Sequence, residues 1–185
     1  MTSEITQALE SLFQKFIHHT HSLTGQLPCA SMDNDLEGWT TGPAVTSLSG
    51  EESKLYWQPV SHGDTSGLEG LENGLETRLH QDIKDYYGSF WSDGIDCTSP
   101  AGEIHLLQVW NDADMEILKQ NLLGHAFMKL KKKQPLTLFF GVGQGDEILV
   151  IDNSTGEVYL EIPGRRPHRK LADNLAQFIN ACDIA

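Results

Sequence analysis

Three β-type runs at residues 136–142, 147–152 and 157–162 follow one another with only a few residues between them, and this stretch limits the fold more than any other. The connections are rich in Gly, Asp and Asn and too short for the crossover that parallel strands require, so the runs pair antiparallel as a meander. Pro135, which lacks an N–H and clashes with a preceding helical turn, ends whatever helix comes before them. Helical stripes surround the meander. After Ser3, a candidate N-cap, Ile5, Leu9, Leu12, Phe13, Phe16 and Ile17 recur at spacings of three and four and predict a core-facing helix to about residue 22. Leu68, Leu71, Leu75, Leu79, Ile83 and Tyr86 or Tyr87 predict one acidic amphipathic helix over 68–87. Asn111 or Asp112 caps a third helix to about residue 130, with Asp114 and Glu116 near the positive end of its dipole and Lys129, Lys131, Lys132 and Lys133 near the negative end. Leu171, Leu175, Phe178, Ile179 and Cys182 give a closing helix.

The remaining extended segments are 54–58, stopped by Pro59, and the pair 90–97 and 103–110, joined by a turn-like 98–102. Residues 23–53 are interrupted by glycines and prolines and predict irregular chain with at most a short strand at 44–48; a Gly/Ser loop precedes residue 67. Strands do not alternate regularly with helices. The class is therefore α+β, a mainly antiparallel or mixed sheet with helices packed against it, and 185 residues suit one domain over 1–185.

Charge then limits what such a fold binds. The chain carries 26 acidic and 13 basic side chains, a net of −13, and such a surface repels nucleic-acid phosphates and anionic headgroups and favours a basic partner. Residues 1–122 hold 19 acidic and 5 basic side chains, and residues 123–185 hold 7 and 8. Two basic groups stand out in the second part: Lys129, Lys131, Lys132 and Lys133, and Arg165, Arg166, Arg169 and Lys170. Each reads as a solvated helix end or loop, or as a contact for anionic lipid. Cys29, Cys97 and Cys182 are odd in number and widely spaced, which suggests neither a disulfide framework nor a zinc ribbon and fits a reducing compartment. The N-terminus lacks a signal-peptide pattern and no run reaches the ~20 apolar residues of a membrane span, so any membrane association is expected to be peripheral.

Several motifs resemble catalytic or metal sites and read better as structure. Gly141-Val142-Gly143-Gln144-Gly145 is followed by a strand rather than a helix, so it is a hairpin turn and not a phosphate loop. Asp112-Ala113-Asp114-Met115-Glu116 lacks the sixth-position Gly and twelfth-position Glu of a calcium loop and reads as a capped helix start. His18, His19 and His21 read as solvated residues at a helix end, and His125, with no activated nucleophile to pair with it, as a structural histidine. Trp57, Trp91 and Trp110 are core candidates. No catalytic residue, metal site, cofactor or small-molecule substrate is indicated.

Six ordered blocks carry a family resemblance: Tyr56-Trp57-Gln58-Pro59, Leu106-Leu107-Gln108-Val109-Trp110-Asn111, Asn121-Leu122-Leu123-Gly124-His125, Pro135-Leu136-Thr137-Leu138-Phe139, Asn153-Ser154-Thr155-Gly156-Glu157-Val158, and Leu171-Ala172-Asp173-Asn174-Leu175-Ala176-Gln177-Phe178. Together they resemble the Syd family over roughly residues 5–182, matching least at 24–53 and 60–67. The resemblance implies a SUKH-like α+β protein that is not an enzyme. It implies a cytoplasmic protein, peripheral on the inner membrane, that binds the basic cytoplasmic loops of SecY through an acidic concave surface and checks free or mis-assembled translocase. The alternative within the same fold is an immunity-type module that neutralises a basic toxin.

Acids that meet a basic loop must be exposed, clustered and uncommitted, which sets aside Asp112 as a possible cap. Glu72, Glu76 and Asp82 lie off the apolar stripe of the second helix, and Asp93, Asp96 and Glu103 follow on the next strands. The six form one rim if that hairpin packs beside the helix. Asp114 and Glu116 on the third helix complete the candidate set.

Overall fold

The computed structural model describes residues 2–31, 39–49 and 54–185. The meander appears as β8 (Thr137–Val142), β9 (Ile148–Asp152) and β10 (Val158–Glu161). It lies inside a seven-stranded sheet with β6 (Ile95–Ser99), β7 (Gly102–Leu106), β11 (Arg169–Ala172) and β12 (Asp183–Ile184). The order is β11-β10-β9-β8-β7-β6-β12, and every neighbouring pair is antiparallel. Gly143 N–H donates to Glu147 O across the glycine-rich connection, which is a hairpin turn as read from the sequence.

Helices cover both faces of this sheet, and two adjacent residues of β8 show how. Side chains alternate along a strand. Phe140 meets Tyr86 of α3 (Gln81–Ser89) at 5.5 Å between ring centroids and Phe178 of α5 (Leu175–Asn180) at 5.7 Å. Phe139 turns the other way and meets His125 of α4 (Asp112–Lys131) at 5.7 Å. On the Phe140 side, α1 (Glu4–Thr24) packs on α3 and α5. It is capped by Ser3, whose side chain accepts from Thr6 N, and buries Ile5, Leu9, Leu12 and Phe13. Trp57, Trp91 and Trp110 are all buried.

Where β7 leaves β8, the ladder is closed by a side chain. Leu107 N donates to Phe140 O at 3.0 Å, and the buried Tyr86 hydroxyl lies 2.9 Å from Leu107 O and 3.3 Å from Phe140 O. Burial holds the Tyr86 phenol well above its ordinary pKa, so it stays a donor. Tyr86→Phe leaves a buried carbonyl without this partner and should lower the unfolding free energy by about 1–3 kcal/mol. Urea unfolding checks this, and a variant as stable as the parent would remove the hydroxyl from the account.

Two helix expectations change. The single helix over 68–87 is broken: α2 (Glu69–Leu75) ends with Glu76 in the left-handed region at φ 50°, and α3 restarts at Gln81. Asn73 and Gly74 are poor helix formers, and the link is held by one local and two long-range bonds. His80 N donates to Asn153 Oδ1 at 2.8 Å, Asn153 Nδ2 donates to Arg78 O at 3.0 Å, and Leu79 N donates to Glu72 Oε1 at 2.8 Å. The closing helix begins at Leu175, capped by Asn174, and Leu171 belongs instead to β11. In the glycine-rich region, β2 (Val45–Ser49) matches the short strand expected at 44–48, and β3 (Lys54–Trp57) matches the run at 54–58. A strand not foreseen, β1 (Cys29–Ser31), pairs with β3. The rest of the expectation for 23–53 falls partly on residues outside those described. Short strands β4 (Val60–Ser61) and β5 (Phe90–Trp91) pair beside the main sheet.

Candidate functional site

The acids of β6, β7 and the start of α4 converge, and the local chain explains why. Trp91 forms a parallel bridge with Val109, and Ser92 N donates to Val109 O at 2.9 Å. Residues 92–94 are thereby held beside the segment that enters α4. Asn111 is the N-cap, accepting at Oδ1 from Asp114 N at 2.9 Å, and Asp114 Oδ2 reaches back to accept from Trp110 N at 2.9 Å. This reciprocal arrangement satisfies two N–H groups of the helix entrance. Burial raises the Asp114 carboxyl above its ordinary value of 3.8. Asp93 accepts from Gly94 N at 2.8 Å and is also raised, first by burial, with the charges of Asp114 and Asp96 adding and His105 opposing. Asp93, Asp96, His105 and Asp114 thus sit within electrostatic reach of one another.

The β6–β7 hairpin supplies the exposed part. Asp96 is in register with His105 and Thr98 with Glu103, so these four share one face. His105 Nδ1 lies 2.8 Å from Asp96 Oδ1. The imidazole passes over Gly94, where an added Cβ would fall 2.4 Å from His105 Nε2 and 2.7 Å from Leu106 O. Glycine is required there by close approach. Asp96, Glu103 and Asp112 are exposed, while Asp93 and Asp114 are partly buried behind them. Glu116 is exposed and pairs with Lys119.

Of the six acids expected to form one rim, Asp93 and Asp96 are brought together, while Glu72 and Asp82 are engaged by other groups. Asp93 is coupled to Asp96 and to Asp114 at the start of α4, whereas α2 packs on α4 further along that helix, with Gly74 beside Leu123. Glu72 is also committed: it accepts from Leu79 N at 2.8 Å and from Lys84 Nζ at 3.1 Å, and these donors hold its carboxyl below the usual range. Asp82 is half-buried, 3.6 Å from His80 Nδ1. Glu76 is exposed but lines a groove of mixed charge with Arg78 and Lys84. Of the two possible caps, Asn111 holds the position, and Asp112, set aside from the candidates as a possible cap, joins the exposed acids. His105 is not among the sequence candidates, although the register of a hairpin turning at 98–102 places that residue opposite Asp96.

His125 is the buried structural histidine expected, with Nε2 3.0 Å from Thr137 Oγ1. Lys129, counted from sequence among exposed helix-end cations, is fully buried and bonded to Glu161 Oε2 at 2.7 Å. Among the described residues no helix is long and apolar enough to cross a membrane.

A family model described as Syd protein (SUKH-2) matches residues 6–183. The chain is 46% identical over 176 residues to a protein of Hahella chejuensis called Protein Syd, covering 95% of this chain and 92% of that one. It is 34% identical over 183 residues to the Protein Syd of Pseudoalteromonas atlantica, covering 97% and 96%. The corresponding protein of Colwellia psychrerythraea is 37% identical over 187 residues, with 95% and 90% covered.

Proposed function

Since the chain belongs to the Syd family, we propose that it works by docking on the cytoplasmic face of the inner membrane, where its acidic surface binds the basic cytoplasmic loops of SecY. The observation that carries this reading is the convergence of Asp93, Asp96 and Asp114 beside the exposed Glu103 and Asp112. Membrane proteins concentrate Lys and Arg in their cytoplasmic loops, so a soluble acidic surface meets the complementary charge there. Such binding regulates by occlusion: a loop held against these acids is closed to the ribosome or to the SecA motor.

Recovery of detergent-solubilised SecY on immobilised protein should be strong at low salt and should fall above ~0.15 M, where the Debye length drops below ~8 Å. Equal recovery at both, or none at low salt, would count against the proposal.

The two partly buried carboxyls add a pH dependence. Burial holds Asp93 and Asp114 above 3.8 in the free protein, and a cationic loop would pull both down by favouring the charged forms. A partner that prefers the ionised groups binds fully above their free pKa values and is lost as pH falls through them. Affinity should therefore begin to fall at a higher pH than ordinary carboxylates would dictate, with protons released on binding. Calorimetry in buffers of different ionisation enthalpy measures that release; proton uptake would contradict the assignment.

A further inference from the structure

Both basic groups of the second part of the chain divide into committed and exposed members. Lys129 is buried, Arg169 donates to Pro100 O at 2.9 Å, and Lys170 pairs with Glu157 and Asp173. The remaining cations are assembled into one place by the end of α4. Lys129 Nζ donates to Arg165 O at 2.8 Å and Lys132 Nζ to Gly164 O at 2.8 Å. Arg165 N donates to Ile162 O at 2.9 Å and closes a turn. Gly164, at φ 82°, lies so close to Lys132 that an added Cβ would fall 2.8 Å from its Nζ. The loop is therefore fixed to the helix end, and it presents Arg165 and Arg166 to solvent beside Lys131 and Lys133. No side chain of these four has a hydrogen-bond or ion-pair partner among the described residues.

The same helix end exposes two large apolar side chains. Phe127 is 51% exposed and Leu130 is 49% exposed, with Phe127 one turn before Lys131. A merely solvated helix terminus needs cations to complement its dipole, but it gains nothing from an exposed Phe and Leu among them. Cations interleaved with apolar side chains are the composition of a surface that rests on anionic lipid, where headgroups take the charge and the acyl boundary takes the apolar groups. We propose that the C-terminal end of α4, with the loop at 163–166, is a direct contact for anionic lipid headgroups, independent of any protein partner.

The acidity of the rest of the molecule does not prevent this. The carboxylates at the start of α4 lie roughly 30 Å away along its 20 residues, and at physiological salt the Debye length is ~8 Å. Asp146 and Glu147 share a groove with Pro163, and Glu147 is turned to His168 at 3.0 Å.

Flotation with protein-free vesicles tests the proposal without involving SecY. The protein should float with vesicles of phosphatidylethanolamine and phosphatidylglycerol at low salt, and should remain in solution with pure phosphatidylcholine. Arg165→Gln combined with Arg166→Gln should weaken partition roughly 30-fold, taking about fivefold for each cation near an anionic surface. Phe127→Ser should weaken it several-fold while leaving the salt dependence in place. All three substitutions are at exposed positions, and circular dichroism reports folding. Lack of flotation with anionic vesicles, equal flotation with both lipids, or flotation unchanged in the arginine variant would each overturn the assignment. Displacement from vesicles by an RNA homopolymer, with tighter binding to it than to lipid, would assign the patch to phosphate backbones instead and equally overturn it.

Discussion

Replacing Lys129 by Met is expected to lower the unfolding free energy by about 3–5 kcal/mol, among the largest effects available to a single substitution away from the apolar core. Lys129 and Glu161 are both fully buried. Glu161 Oε2 accepts from Lys129 Nζ at 2.7 Å and from Thr137 Oγ1 at 2.9 Å. Because that hydroxyl gives its one proton to Glu161, it accepts from His125, which fixes the imidazole with its proton on Nε2. Burial and the Lys129 charge push the His125 pKa down to about 4, so the imidazole is neutral and supplies no replacement cation. Among the described residues Glu161 Oε1 has no hydrogen-bond partner, and His125 Nε2 is 3.6 Å from it. Removing the ammonium would therefore leave a buried carboxylate with a hydroxyl as its remaining donor. The double variant Lys129→Met, Glu161→Gln removes the uncompensated charge and should recover much of the loss. Urea unfolding of both singles and the double measures the coupling; a Lys129→Met protein within 1 kcal/mol of the parent would refute it. The same ammonium donates to Arg165 O, so the single variant should also loosen the loop that carries Arg165 and Arg166.

The second large effect is on binding. Reversing Asp96, Glu103 and Asp112 to Lys together should weaken association with SecY by ~100-fold or more, corresponding to about 3 kcal/mol, because in the proposed docking each new ammonium would repel the basic loops that the carboxylate attracts. These three are chosen because they are exposed. Asp93 and Asp114 are left intact, since Asp114 closes the entrance of α4 and both are partly buried. A single Glu103→Gln change should barely register, as one rim charge contributes little. Glu76→Lys, in the groove with Arg78 and Lys84, is the control and should leave affinity within a few-fold. Loss in Glu76→Lys with retention in the triple variant would move the interface to α2.

The fold was legible where local signals agreed. The turn residues between β8, β9 and β10 leave one pairing mode, and the carboxylates and lysines at opposite ends of α4 match its dipole. Legibility failed where a distant residue decides. The break at Glu76 depends on Asn153, more than 70 residues along the chain from His80 and Arg78. Likewise, the apolar period through Leu75 and Leu79 continues across that break, because both are buried for tertiary reasons. The candidate site divides in the same way. Charge singles out the acids as a class, but not which of them stay free at the surface. Glu72 sits off its apolar stripe as a solvent-facing residue would, yet its carboxylate is taken by Leu79 N and Lys84. Asn111 and Asp112 are nearly equal as caps, and only the backbone at Asn111 shows which one serves. Lys129 lies in a lysine-rich helix end, and nothing local marks Glu161 as its buried partner.

The central claim is that the face built by β6, β7 and the start of α4 meets SecY. Photo-crosslinking tests it most directly, with a photoreactive residue placed at position 103 in one protein and at position 76 in another, each mixed with solubilised inner membranes at low salt. The expected result is a SecY adduct from position 103 that fades as salt is raised, and none from position 76. An adduct from position 76 alone, or a full set of adducts lacking SecY, would contradict it.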